Sequence, residues 1–305
     1  MLAAIDAGSN TLRLLIGKVQ NGKVAPLLYE RRICRLAGGF KDEEGLSPEA
    51  MERTLFAFLQ FADVCEKNGV KKVRAVGTAA FRQAINGEKF VSKVRSATHL
   101  PLHVISGEEE AETMAAGVLC ALDPIPDHAL IVDIGGGSTE FVLCAKQKVL
   151  WARSLPLGVV RLIEGHESPQ ARQHFITLTL AQLNVELESA CVSNKVDIDS
   201  VALVGTAGTV TTLAALDQQM TEYDWRQINN YVMPPSKIQY WQELLAPLSP
   251  LERESLPGME AGRGDLILAG IEIILGVMQL LHNTSLTVSD FGILEGLLLS
   301  LESSE

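Results

Sequence analysis

The chain has 305 residues, 47% hydrophobic content and a formal net charge of −11. A length of this order supplies two moderate cores more readily than one large one. No apolar run reaches membrane-spanning length, and the N-terminus meets an acid at Asp6 with no basic stretch before it, so neither a membrane span nor a signal peptide is read there. Five scattered cysteines (34, 65, 120, 144 and 191) lack CxxC spacing and read as reduced core thiols of a cytoplasmic protein. The acid excess is uneven: residues 1–105 carry 16 Lys and Arg against 10 Asp and Glu, or +6, and the remainder carries −17. A basic N-terminal part can draw a polyanion locally whatever the total charge.

Residues 2 to about 28 read as a hairpin whose first strand ends at Asp6, with Gly8, Ser9, Asn10 and Thr11 in its turn. Arg31, Arg32 and Arg35 follow as a basic cluster. Ser47-Pro48 is an N-cap with proline at the first helical position, and Met51, Leu55, Phe58, Leu59, Ala62 and Cys65 recur at helical spacing before Asn68-Gly69. Lys71–Val76 reads as a strand and leads into the loop Gly77-Thr-Ala-Ala-Phe-Arg82. Leu102–Ile105 is a further strand. Ser106-Gly-Glu-Glu109 has capping-box spacing and opens a helix to about Ala121, with Glu108, Glu109 and Glu110 at its positive end. The proline-rich segment 123–127 marks a domain boundary, giving an N-terminal domain 1–123, completed by a C-terminal helix at 290–305, and a second domain 124–289.

The second domain opens on Leu130-Ile-Val-Asp133-Ile-Gly135-Gly-Gly-Ser138-Thr-Glu140, again strand, glycine turn and strand. Glycines leave no Cβ in the way, so backbone N–H groups can close around an anion at Gly135, Gly136, Gly137 and Ser138. Asp133 and Glu140 flank the turn with hard oxygen ligands suited to a hydrated divalent cation. The pattern repeats the first hairpin without a gap: Asp6, Gly8 and Thr11 fall 127 residues before Asp133, Gly135 and Ser138. A third small-residue loop, Gly205-Thr206-Ala-Gly208-Thr209, follows strand Val201–Val204 and opens a helix, a common anion-binding arrangement. Residues 146–161 read as more of the sheet and 168–190 as a helix. Asp265–Leu281 reads as a buried helix, Leu286–Val288 as a strand and Ile293–Leu301 as a helix; residues 218–260 give little signal. There is no P-loop, no His-Glu-x-x-His, no Gly-x-Ser-x-Gly elbow, and the six histidines show no ligand spacing.

Seven segments together resemble the exopolyphosphatase / guanosine pentaphosphate phosphohydrolase (Ppx/GppA) family. They are Asp6–Thr11, Gly77–Arg82, Ile105–Ala111, Asp133–Glu140, Leu157-Gly-Val-Val-Arg161, Gly205–Thr209 and Arg263-Gly-Asp265, in the family's order. The resemblance implies an α/β, two-domain, actin-like ATPase (ribonuclease H-like) fold with its active site in the interdomain cleft. It implies hydrolysis of a terminal phosphoanhydride of inorganic polyphosphate or guanosine pentaphosphate in the stringent response, and the motifs do not choose between those substrates. In this reading Glu110 activates the attacking water. Asp133, Glu140 and Asp6 hold Mg²⁺ or another hard divalent cation, Arg82 contacts phosphate, and the three loops cradle the phosphate chain. A homodimer is implied only by resemblance, and neither a nucleic acid nor a membrane is expected as a partner. Leu294 stands where the family often has arginine, and the chain lacks the helical C-terminal domain of longer members. A kinase of the same superfamily and a non-catalytic sensor of guanosine tetraphosphate or polyphosphate are the competing readings.

Overall fold

The computed structural model describes residues 1–40, 43–166, 168–282 and 284–302, so the last part of the expected 290–305 helix, residues 303–305, lies outside the described residues. The chain divides into two compact units, one of Met1–Cys120 with the C-terminal stretch from Gly292, the other of Ala121–Phe291.

In the first unit β1 (Leu2–Ala7), β2 (Thr11–Gln20) and β3 (Lys23–Ile33) form an antiparallel meander, which extends beyond the expected end near residue 28. Asn21 and Gly22 both take positive φ, 55° and 70°, in the tight turn that suits the twist of β2 and β3. Helix α1 (Pro48–Lys67) starts where the Ser47 hydroxyl accepts from the Ala50 N–H, and it buries Ala50, Thr54, Ala57, Phe58, Phe61 and Cys65 on one face. Strand β4 (Lys72–Gly77) runs parallel to β1, and α2 (Ala79–Gln83) and α3 (Gly87–Thr98) follow it. Then β5 (Leu102–Val104) adds in parallel to β4, and α4 (Gly107–Cys120) ends the stretch. The sheet order is β3-β2-β1-β4-β5.

The second unit contains β6 (His128–Ile134), β7 (Thr139–Ala145), β8 (Lys148–Leu155), α5 (Val159–Gly165), α6 (Pro169–Asn194), β9 (Ala202–Thr206) and α7 (Ala207–Asp217). The chain continues through α8 (Trp225–Ile228), β10 (Tyr231–Met233), α9 (Pro235–Leu245), α10 (Pro250–Glu254), α11 (Ile267–Leu280) and β11 (Leu286–Val288). Its sheet runs β8-β7-β6-β9-β11 with β10 added at the edge. The first three strands are antiparallel and the next two parallel, the order and sense of the first unit again.

The reading of 146–161 as sheet is corrected. Strand β8 stops at Leu155, and Val159–Gly165 is helical despite its β-branched start, because the N–H groups of Val159 and Val160 bond to the Gly135 and Gly136 carbonyls. Tertiary contacts override the local preference here.

The last helix, α12 (Ile293–Glu302), belongs to the first unit and packs on β1, β2 and α4. Its approach to α4 is a backbone contact. A Cβ on Gly296 would stand 1.8 Å from the Thr113 carbonyl oxygen, and one on Gly117 1.8 Å from that of Gly292. Each unit has its own apolar core: Ile5, Leu12, Phe58 and Phe90 lie in the first, and Leu130, Phe141, Leu213 and Ile274 in the second. Four of the five thiols are buried and none is in a disulfide; burial pushes the Cys144 thiol up to about 12.

Candidate active site

The two glycine turns are built alike. The Gly8 N–H bonds to the Thr11 carbonyl at 3.0 Å, and 127 residues later the Gly135 N–H bonds to the Ser138 carbonyl at 2.9 Å. In both, flanking chain takes up the turn's carbonyls. Ser9 O accepts from Ala37 N–H, and Asn10 O from Cys34 and Arg35 N–H. At the equivalent places Gly136 O accepts from Val160 and Arg161 N–H, and Gly137 O from Arg161 Nε. A trans peptide points its N–H opposite to its C=O. The amides of Asn10 and Thr11, and of Gly136, Gly137 and Ser138, therefore face away from the chain that holds the turn. Each hairpin thus carries a concave patch of donors of the kind that binds phosphate oxygens. Gly158 is required at the second turn, since a Cβ there would stand 2.4 Å from Gly136 backbone atoms.

The neighbouring charges differ between the repeats. Asp133 is register partner to Glu140 across β6–β7, and Glu140 to Ser154 across β7–β8. Glu140 Oε1 accepts from the hydroxyls of Ser138 at 2.6 Å and Ser154 at 2.7 Å. In the first unit the partner of Asp6 is Arg13, whose Nε and Nη2 both donate to Asp6 Oδ2, at 2.9 and 2.5 Å, and whose own partner is Arg31. Asp6 is thus buried with its charge matched within the chain. Asp133 and Glu140 thus set two hard oxygen ligands at paired positions of neighbouring strands. Among the described residues no three His, Cys, Asp or Glu side chains gather as a metal cage. A pair of carboxylates beside outward-facing turn amides fits an ion that keeps most of its water.

Helix α4 presents its first-turn glutamates to separate arginines. Ser106 Oγ accepts from the Glu109 N–H at 3.0 Å, as the capping pattern predicts. Glu109 bonds Arg74 on β4 at 2.7 Å, while Glu110 Oε2 meets Arg82 Nη1 at 3.1 Å. Sequence position alone separated the two glutamates; the structure ties Glu109 to the strand and Glu110 to α2, the short helix that residues 79–83 form where a loop was expected.

The third loop contributes less side-chain chemistry than expected. The Thr206 hydroxyl is buried and donates to Phe291 O, and Thr209 is buried against Gly270. Gly205 is enclosed between Leu286 and Val210. What the loop offers is backbone: the first N–H groups of α7, which begins at Ala207 with φ 66°. Arg263 lies over Gly208, so close that a Cβ there would fall 1.8 Å from its Nη2, and it pairs with Glu260 at 2.8 Å. Sequence reasoning gave no role to Arg13 or to Arg263. The arginine seven residues beyond Asp6, at the place of Glu140 in the repeat, was the available signal for Arg13.

Two units with the same 3-2-1-4-5 sheet, each with a phosphate-type turn between its first two strands, define the actin-like ATPase fold. The chain belongs to the Ppx/GppA phosphatase family, whose sequence pattern matches residues 15–305. It is 33% identical to exopolyphosphatase 2 of Mycobacterium tuberculosis over 98% of both chains. It is 30% identical to the guanosine-5'-triphosphate,3'-diphosphate pyrophosphatase of Vibrio atlanticus, spanning 97% of this chain and 58% of that protein. Among solved structures, a Ppx/GppA phosphatase of Aquifex aeolicus matches with a TM-score of 0.82 at 32% identity, over 98% of both chains. An exopolyphosphatase of Cytophaga hutchinsonii matches with a TM-score of 0.83 at 27% identity, over 99% of this chain and 97% of that one.

Proposed function

We propose that the chain is a phosphoanhydride hydrolase that releases terminal phosphate from inorganic polyphosphate, from guanosine pentaphosphate, or from both. The observation that carries this reading is the pair of matching turns whose amides face away from the chain that holds them, each a ready receptor for phosphoryl oxygens. The names borne by the full-length relative and by the longer pyrophosphatase support the same two substrates.

In the proposed mechanism the acting groups are Glu110, the amides of the Gly8–Thr11 turn and those of Gly135–Ser138. Glu110 takes a proton from a water that attacks the terminal phosphorus in line with the leaving oxygen. The turn amides hold the equatorial oxygens as their charge redistributes, and losing one such donor typically costs ~2.7–4 kcal/mol in the barrier. Asp133 and Glu140 are the residues that would hold Mg²⁺, which when bound supplies charge neutralisation for the phosphate chain. Ser138 and Ser154 fix the Glu140 carboxylate in place for that role. The proposal includes a cytoplasmic location, a part in the stringent response and a homodimer, each carried by the family resemblance.

The test is phosphate release by purified protein with Mg²⁺, on long polyphosphate, short polyphosphate and guanosine pentaphosphate, beside Glu110→Gln. Release that disappears in the variant, with substrate still bound, supports the hydrolase and its base. Binding without release from any of the three moves the reading to a sensor, and wild-type release by Glu110→Gln removes Glu110 from its role.

A further inference from the structure

Helix α6 has two apolar faces. Ile176, Leu180, Leu183, Leu187 and Cys191 are buried in the core of the second unit. On the other side Leu178, Val185 and Val192 are 55%, 68% and 79% exposed. They stand seven residues apart, and exposed Ala181 lies between the first two, so together they form one seam about 21 Å long. A single exposed apolar residue is ordinary, but four in register on a 26-residue helix make a contact surface.

The charges of α6 are turned away from this seam. Arg172 donates to Glu272 through Nε and Nη2, at 2.7 and 2.8 Å, and Glu186 pairs with Arg153 of β8 at 3.2 Å. Among the exposed residues of α6 only Glu188 carries a formal charge, and Gln170, Thr177, Gln182 and Ser189 beside the seam are polar and neutral. Residues 106–305 carry −17 in all. A strongly basic partner has one acid to meet here, whereas a second copy of this acidic chain meets a stretch with almost no acid to repel it.

The seam is also complementary to itself. His174 and Glu188 lie on it, each seven residues from Ala181, one before it and one after it. A two-fold axis at Ala181 that sets two copies of α6 antiparallel brings each His174 to Glu188 of the other copy, and each Leu178 to Val185 of the other. The small Ala181 side chains at the centre let the helices approach. Asn184 Nδ2 donates to Glu188 Oε1 at 2.7 Å and holds that carboxylate along the helix. A parallel pairing would set Glu188 against Glu188, a like-charge cost.

We infer that the outward face of α6 is the contact between two copies of this chain, packed antiparallel about Ala181. This contact gives the homodimer proposed above a surface; it rests on α6 alone, and hydrolysis is not part of it.

The experiment measures the mass of the full chain by sedimentation equilibrium, with unfolding curves for every variant. Wild type is expected to be a dimer, and Val185→Glu a monomer of unchanged stability, since Val185 is exposed in the single chain. His174→Glu, which sets acid against acid, is expected to raise the dimer Kd about tenfold or more, and adding Glu188→Lys to bring it back within about threefold of wild type. This pair decides the question should Val185→Glu fail to fold. Under copper phenanthroline oxidation Ala181→Cys should cross-link, while Val192→Cys, whose thiols would stand about 33 Å apart, should not. A dimer that survives Val185→Glu, a failure of Ala181→Cys to cross-link, or cross-linking through Val192→Cys overturns the inference. Monomer at every concentration overturns it too and leaves the face to a different protein. Phosphate release enters none of these measurements, so the hydrolase reading stands or falls separately.

Discussion

Arg13 faces Asp6 across β1–β2 at the position where, 127 residues on, Glu140 faces Asp133 across β6–β7. One repeat carries its own counter-charge, bonded through Nε and Nη2 to a single carboxylate oxygen. The other sets two carboxylates side by side. The same backbone pattern thus pairs an acid with a base in the first unit and two acids in the second.

This difference divides the three candidate metal residues. Glu140→Gln and Asp133→Asn are expected to raise the Mg²⁺ concentration needed for half-maximal phosphate release by about tenfold or more, since loss of even an outer-shell partner of a metal ligand costs ~10–100-fold in affinity. Asp6→Asn should leave that concentration unchanged, whatever it does to kcat. An Mg²⁺ titration of the three variants checks this, and equal shifts in all three would defeat it.

The seam between α4 and α12 gives a stability prediction. Gly117→Ala places a methyl 1.8 Å from the Gly292 carbonyl oxygen, where backbone must give way. The expected loss is about 3 kcal/mol, at the upper end of overpacking costs. Gly137→Ala, whose Cβ meets nothing within 4 Å, serves as the control in urea unfolding and should lose under about 1 kcal/mol.

Asp217 gives a pH prediction. Burial works to raise its carboxyl pKa, but hydrogen bonds from Lys237, Tyr231 and Trp241 outweigh that and hold it below the ordinary value. A depressed folded-state value contributes stability that is present above the unfolded value, about 3.9, and lost as pH falls through the folded one. Asp217→Asn is expected to cost about 1–2 kcal/mol at pH 7, reduced because Lys237 is half exposed. The gap to wild type should close below pH ~4. Unfolding curves of both proteins at pH 7 and at pH ~3 measure it, and a gap independent of pH would refute the ionic part.

Much of the local geometry of the candidate site is legible in the sequence, because turn chemistry is local. Gly8 and Gly135 announce themselves by spacing, and Ser106 by its place before three glutamates. What stayed hidden depends on register or on distant chain. Arg13 gains its meaning only when β2 is laid against β1. The inward turn of Thr206 depends on Phe291, 85 residues away. Val159 and Val160 have β-branched side chains that favour strand, and only the Gly135 and Gly136 carbonyls make them the start of a helix. Residues 218–260 hold two helices of four and five residues and a three-residue strand, too brief for a period, around one 11-residue helix, α9, whose buried Ile238, Trp241 and Leu245 are the only helical spacing it offers.

The return of α12 to the first unit sets an order of assembly. The second unit is one unbroken stretch, Ala121–Phe291, and can complete its core while the nascent chain is still being extended. The first unit, although synthesised earlier, has the faces of β1, β2 and α4 that receive α12 open until residues 293–302 have left the ribosome. Contacts so remote in sequence carry a large loop-closure cost before they are rewarded. The half that carries Glu110 is therefore the last to close, so a chain released short of its final helix would hold a finished Asp133–Glu140 hairpin while the unit of Glu110 is still incomplete.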